Sequence, residues 1–159
     1  MNIDAIFTAL QRQQVDYLLV GGMNFLLRHQ PVATYDVDIL VRDTDENLRR
    51  LNMALRELGA AWGETESAWR EVPATHDWLK RQSVYCLTTR FGALDVFREL
   101  KGLEGRYDEC VAASVPSVTV SGAAYRGLND SDMLRCQLAL SKEERKLDRI
   151  NFLRKAMAS

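Results

Sequence analysis

Apolar residues recur at helical spacing in the first dozen positions. Ile3, Ile6, Phe7 and Leu10 share one face, which predicts a helix over residues 2–13. A continuous apolar run from Val15 to Val20 follows and reads as a buried strand, ended by Gly21-Gly22. Met23 to Arg28 reads as a short helix that stops before Pro31, because the residue preceding a proline avoids helical backbone angles. From Asp36 to Val41 acidic and apolar side chains alternate with the period of a strand. Asp43 is placed to cap the next helix, with Glu46 as its capping-box partner. Leu48, Leu51, Leu55 and Leu58 give that helix an inner stripe, and Gly59 ends it.

Residues 60–83 show no clear period. They hold Trp62, Trp69 and Trp78 with Pro73, and they predict a strand and a loop without fixing where either lies. Val84 to Thr89 and Ala93 to Phe97 then read as a hairpin turned at Arg90-Phe91-Gly92. A helix is expected near 105–113, with short strands at Val118–Val120 and Tyr125–Leu128. Asn129 or Ser131 caps a helix through Leu140. Ser141 with Glu144 forms a capping box for a last helix carrying Leu147, Ile150, Leu153 and Met157. No repeat or low-complexity linker interrupts the pattern. The chain reads as one α+β domain over 1–159, with a core at about 1–128 and C-terminal helices at about 129–157.

Composition excludes more than it selects. A chain of 159 residues, 47% hydrophobic and 27% charged, is too apolar for disorder, and it holds no apolar run long enough to span a membrane. A net charge of -1 argues against a generally basic nucleic-acid binder. That total hides an asymmetry. Residues 126–159 carry eight Lys/Arg against five Asp/Glu, while the preceding 125 residues carry 13 against 17. A basic tail beside an acidic body suits a polyanionic ligand held between them, although mixed helix faces give the same count. Cys86, Cys110 and Cys136 are odd in number and lack metal-ligand spacing, which predicts buried free thiols. No signal segment is visible in Met1–Phe7, so a cytoplasmic location is expected. His29 and His76 are isolated and suit hydrogen-bonding roles.

Three features carry chemistry. Gly21-Gly22 at a strand-to-helix junction lets a phosphate approach the N–H groups of the following helix, though a tight turn uses the same residues. Asp36 and Asp38, two apart on a strand, project from one face while Val37, Ile39 and Val41 point into the core. Like charges that close repel, and a hard divalent cation such as Mg²⁺ or Mn²⁺ relieves the repulsion; a solvated sheet face is the plainer reading. Asp95 interrupts the apolar strand Gly92–Phe97. It completes a three-carboxylate cluster if that strand neighbours the first, and otherwise it is a single outward acid.

Taken together, an apolar residue before Gly21-Gly22, thirteen intervening residues and the quartet Asp36-Val37-Asp38-Ile39 resemble the fingerprint of the nucleotidyltransferase superfamily that includes DNA polymerase beta. The match runs from Tyr17 to Val41, with 93–97 in support and a similar layout over about 3–155. Thr34 resembles the Arg-x-Thr lead-in of small bacterial members, although Val32 stands where the Arg is expected. The downstream layout resembles single-domain bacterial members found among abortive-infection and toxin–antitoxin components.

The resemblance implies a nucleotidyltransferase-like mixed sheet packed against helices. It implies transfer of a nucleoside monophosphate from an NTP to a hydroxyl on a small molecule, RNA or protein. Gly21 and Gly22 would hold the phosphates, while Asp36, Asp38 and Asp95 would hold Mg²⁺ or Mn²⁺ and carry catalysis. Lys142 and Arg145 would reach phosphates from the C-terminal segment, where Arg149 replaces an expected acid. The alternative is an inactive interaction module on the same fold, such as an antitoxin or regulatory partner, completed by another protein or a second copy. A third reading, a general ligand-binding domain with solvated acids, requires that the three carboxylates do not converge.

Overall fold

The chain opens with α1 (Ile3–Arg12), which starts where the Asn2 side chain accepts a hydrogen bond from the Ala5 N–H. β1 (Tyr17–Val20) leads directly into α2 (Gly21–Arg28), and β2 (Asp36–Val41) precedes α3 (Asp45–Glu57). β3 (Ala61–Trp62), β4 (Arg70–Glu71), β5 (Val84–Thr89) and β6 (Gly92–Phe97) follow, with single 3-10 turns at Glu66–Ala68 and His76–Lys80. The chain finishes with α4 (Tyr107–Ala112), β7 (Val115–Val118), β8 (Ala124–Gly127), α5 (Asp130–Ala139) and α6 (Leu147–Ala158). The structure, a computed structural model, describes every residue except Glu64 and the side chain of Glu66.

The strands form one mixed sheet in the order β4-β3-β5-β6-β2-β1-β8-β7. β2 pairs antiparallel with β1 and parallel with β6, so it runs through the middle of the sheet. Each face has its own core. Val37, Ile39, Val41, Leu94 and Val96 pack against Phe7 and Leu10 of α1 and Leu48, Leu51 and Leu55 of α3. On the other face Leu18, Val20 and Leu40 meet Phe25 of α2, Leu128 just after β8, and Met133 and Leu153 of the C-terminal helices. Among the described residues no helix is long and apolar enough to cross a membrane.

Several boundaries differ from the sequence expectation for identifiable reasons. Asp43 does not cap α3. Its carboxylate receives two hydrogen bonds from Arg98, at 2.9 and 3.1 Å, and Thr44 accepts the Asn47 N–H in its place. The Ser141–Glu144 pair does form, at 2.8 Å, but it closes a turn rather than starting a helix. Arg145 donates back to the Leu138 and Leu140 carbonyls, at 2.7 and 2.9 Å, which folds the chain onto the end of α5, and α6 begins only at Leu147. The strand expected at 118–120 is β7, three residues earlier.

The stretch 60–83 extends the far edge of the sheet. Buried Asn52 on α3 holds it there: Oδ1 accepts the Trp78 indole N–H at 2.8 Å, and Nδ2 donates to the Pro73 and Ala74 carbonyls at 3.0 and 3.2 Å. Trp78 and Trp62 pack on the Tyr85 ring, with centroids 4.9 and 5.9 Å away. All three cysteines are free, but only Cys110 is fully buried. Cys86 is exposed because Tyr85 and Leu87 take the core face of β5. His29 and His76 are hydrogen-bonded to Asp130 and Asp45, at 2.7 and 2.9 Å.

Candidate active site

The alternation in β2 sends Asp36, Asp38 and Leu40 to the face of the sheet that carries α5 and α6. β6 runs parallel to β2 with Asp38 opposite Asp95, and matched positions on neighbouring strands share a face. One carboxylate oxygen from each of Asp36, Asp38 and Asp95 can therefore lie within 4.8 Å of the other two. All three side chains are half-buried, and Cys86 of β5 stands beside Asp95 on the next strand.

This concentration of negative charge perturbs the acids. Burial, followed by the charges of Asp36 and Asp95, pushes the Asp38 carboxyl up to about 7, and the Arg149 guanidinium pulls the other way. Burial and the neighbouring Asp36 raise Asp95 to about 6. A cluster of hard oxygen donors that retains protons near neutrality lacks positive charge. That donor set and that deficit fit a divalent cation of the Mg²⁺ or Mn²⁺ class.

The start of α2 lies against the same carboxylates. Gly21 has φ +67, and a Cβ there would overlap the Asp38 carboxylate, lying only 3.0 Å from its Cγ. A Cβ on Gly22 would meet Thr34 Oγ1 at 3.0 Å and Arg149 Nη2 at 3.2 Å. Both glycines thus belong to the first turn of the helix, not to a separate turn before it, and both are needed for close approach. No side chain caps this helix start and no acid occupies its first turn, so its leading N–H groups suit an anion. Fully buried Asn24 ties the helix to the segment after β8, donating to the Leu128 carbonyl at 3.0 Å.

A cavity of about 200 Å³ opens beside Asp38 and Gly21. Phe25, Phe97, Leu128 and Met133 make it largely apolar, and Lys101 and Arg149 supply its cations. Lys142 and Arg145 do not line it. Lys142 is exposed, and Arg145 is committed to the carbonyls at the end of α5. Sequence reasoning passed over Lys101 and treated Arg149 only as a missing acid. A signal for Arg149 existed, since it stands four residues before Leu153 and shares that inward face of α6.

No family model matches the sequence, and no curated protein matches it significantly. Solved structures do. A candidate nucleotidyltransferase of Thermotoga maritima superimposes with a TM-score of 0.57 at 15% identity, over 98% of this chain and 90% of that one. ANT(2'')-Ia in complex with adenylyl-2''-tobramycin gives 0.58 at 10% identity, over 98% and 87%. The lincosamide antibiotic adenylyltransferase LnuA, lincomycin-bound, gives 0.55 at 15% identity, over 96% and 94%. At such identities the likeness is one of architecture, and it spans nearly the whole of each chain. The eight-stranded mixed sheet with its flanking helices is the nucleotidyltransferase fold.

Proposed function

We propose that this chain is a divalent-cation-dependent nucleotidyltransferase that moves a nucleoside monophosphate from an NTP to a hydroxyl acceptor. The convergence of three carboxylates from two in-register strands carries the reading, because it occurs against an uncapped helix start built from two glycines.

Asp36, Asp38 and Asp95 hold Mg²⁺ or Mn²⁺ in this reading. Such a cation, when bound, neutralises phosphate charge and lowers the pKa of an attacking hydroxyl. Gly21 and Gly22 admit the triphosphate to the N–H groups of α2. Asp95 takes the acceptor's proton as the acceptor oxygen bonds the α-phosphorus and pyrophosphate departs. The apolar cavity between the sheet, α5 and α6 receives an uncharged ring of nucleotide or acceptor. No phosphate contact is assigned to Lys142 or Arg145, which stand outside it.

The test incubates the protein with each labelled NTP, Mg²⁺ or Mn²⁺, and a panel of hydroxyl acceptors beginning with lincomycin, found with one structural neighbour, and tobramycin, found in its adenylylated form with another. Metal-dependent nucleotide binding and pyrophosphate release are expected, with both lost in Asp38→Asn. Absence of nucleotide binding with and without metal overturns the proposal.

A further inference from the structure

Arg149 stands between two sites that make opposite demands on a cation. Its guanidinium lines the same cavity as Asp38 and Gly21, which puts a positive charge on the side of the carboxylates. On its other side, Nη2 comes within 3.2 Å of the point a Cβ on Gly22 would occupy, at the uncapped start of α2. The guanidinium carbon lies 5.8 Å from the centre of the Phe25 ring, which supports the group without consuming its N–H donors. Arg149 makes no direct ion pair with any described carboxylate. Every other arginine or lysine that α6 and the preceding turn carry lies outside the cavity lining.

We propose that Arg149 is a nucleotide-binding residue with two alternative partners. Without a divalent cation it offsets the charge of Asp38, the member of the cluster that lines the same cavity. Once a cation takes the cluster's carboxylates, the guanidinium turns to the anion at the start of α2, the triphosphate of the nucleotide. The distance involved is that of a side-chain rotation, since both partners already border the same guanidinium.

This gives Arg149 effects of opposite sign on the two ligands. A guanidinium beside the acids repels an incoming cation, so removing its charge favours the bare metal. The same guanidinium supplies charge-assisted hydrogen bonds to phosphate, so removing it disfavours the nucleotide. A purely structural role on the roof of the cavity predicts lower stability and weaker binding of both.

The experiment measures Mn²⁺ binding alone, and then binding of non-hydrolysable analogues of the four NTPs at saturating Mg²⁺, by calorimetry on the full chain. Arg149→Gln is expected to bind Mn²⁺ about three- to tenfold tighter than wild type. It is expected to bind the preferred analogue about ten- to a hundredfold more weakly. Arg149→Lys keeps the charge but not the planar fork, so its Mn²⁺ affinity stays within about twofold of wild type while its nucleotide affinity falls severalfold. If Arg149→Gln does not fold, the Lys variant carries the test by that split. The inference rests on the nucleotide site proposed above, and the two fail differently. A wild type that binds no analogue overturns the proposed function. A wild type that binds, with variants that shift both ligands in the same direction or neither, overturns the role of Arg149 alone.

Discussion

Replacing Asp38 by Asn should make the metal-free protein more stable at pH 8, not less. Three carboxylates are held within 4.8 Å of one another on a half-covered sheet, and burial with mutual repulsion raises Asp38 from its ordinary value near 4 to about 7. At about 1.4 kcal/mol per pH unit, ionising that carboxyl in the folded state costs about 4 kcal/mol relative to the unfolded chain. The sign follows from the direction of the rise. Below the unfolded value the carboxyl is protonated in both states and costs nothing. Between about 4 and about 7 the unfolded chain ionises while the folded state keeps its proton, so stability falls with pH across that window and levels off above it.

Asn keeps the shape and removes the charge; the rise to about 7 already includes the attraction to Arg149, and a half-buried carboxylate is partly screened by solvent. A net gain of about 2–3 kcal/mol at pH 8 is therefore expected, or roughly 5–10 °C in melting temperature for a domain of this size. Urea unfolding in the presence of EDTA at pH 8 and pH 4.5, for wild type and Asp38→Asn, measures it. At pH 4.5, just above the unfolded value, the gain should shrink to about 1 kcal/mol or less. Added Mg²⁺ or Mn²⁺ should then raise wild type alone, because only the intact cluster gains by binding a cation. An Asn variant that is less stable than wild type at pH 8 without metal, or a difference independent of pH, would show that the acids are not held against mutual repulsion.

Gly21→Ala should cost about 1–2 kcal/mol of stability, because alanine at φ +67 is strained, and Mn²⁺ affinity should drop at least about tenfold as its Cβ displaces the Asp38 carboxylate. Gly59→Ala, at φ +63 and beside only the flexible Arg90 side chain, is the control: a similar loss of stability with unchanged metal binding, both read by thermal shift and metal titration. Asn52→Ala should destabilise by about 2–3 kcal/mol in urea, since the Trp78 N–H and two carbonyls lose their buried partner. Its tryptophan emission should shift to the red as the 60–83 segment loosens, and an unchanged spectrum and midpoint would refute the anchoring role of Asn52.

The charge distribution takes on a different meaning beside the structure. A net charge of -1 argued against a generally basic nucleic-acid binder, yet the acids of the main body include the cluster at Asp36, Asp38 and Asp95, which a cation would neutralise. The basic C-terminal segment contributes Arg149 to the same cavity. Its other cations face elsewhere: Arg145 is tied to backbone carbonyls and Lys142 points to solvent.

Sequence alone determined whatever a single element can impose on itself. The alternation of Asp36–Val41 placed two carboxylates on one face and three apolar residues on the other, because successive side chains on a strand point to opposite sides. The leucine stripe of α3 and the cap of α1 or α5 were likewise local matters of period and hydrogen bonding. Tertiary structure decided everything that required two elements to meet. Whether Asp95 joined Asp38 depended on β6 lying parallel to β2 in that one register, and no local rule specifies a register between distant strands. The two-residue strands β3 and β4 carry too few positions to show a period, and they exist because Asn52, Trp78 and Tyr85 hold them to the sheet. Ser141 and Glu144 made their local bond as the sequence specified, yet no helix started there, and Arg145 instead bonds the carbonyls at the end of α5. The periodicity of α6 placed Arg149 on the face of Leu153, but the packing of α6 against α5 and α2 decided that this face borders the cavity beside Asp38.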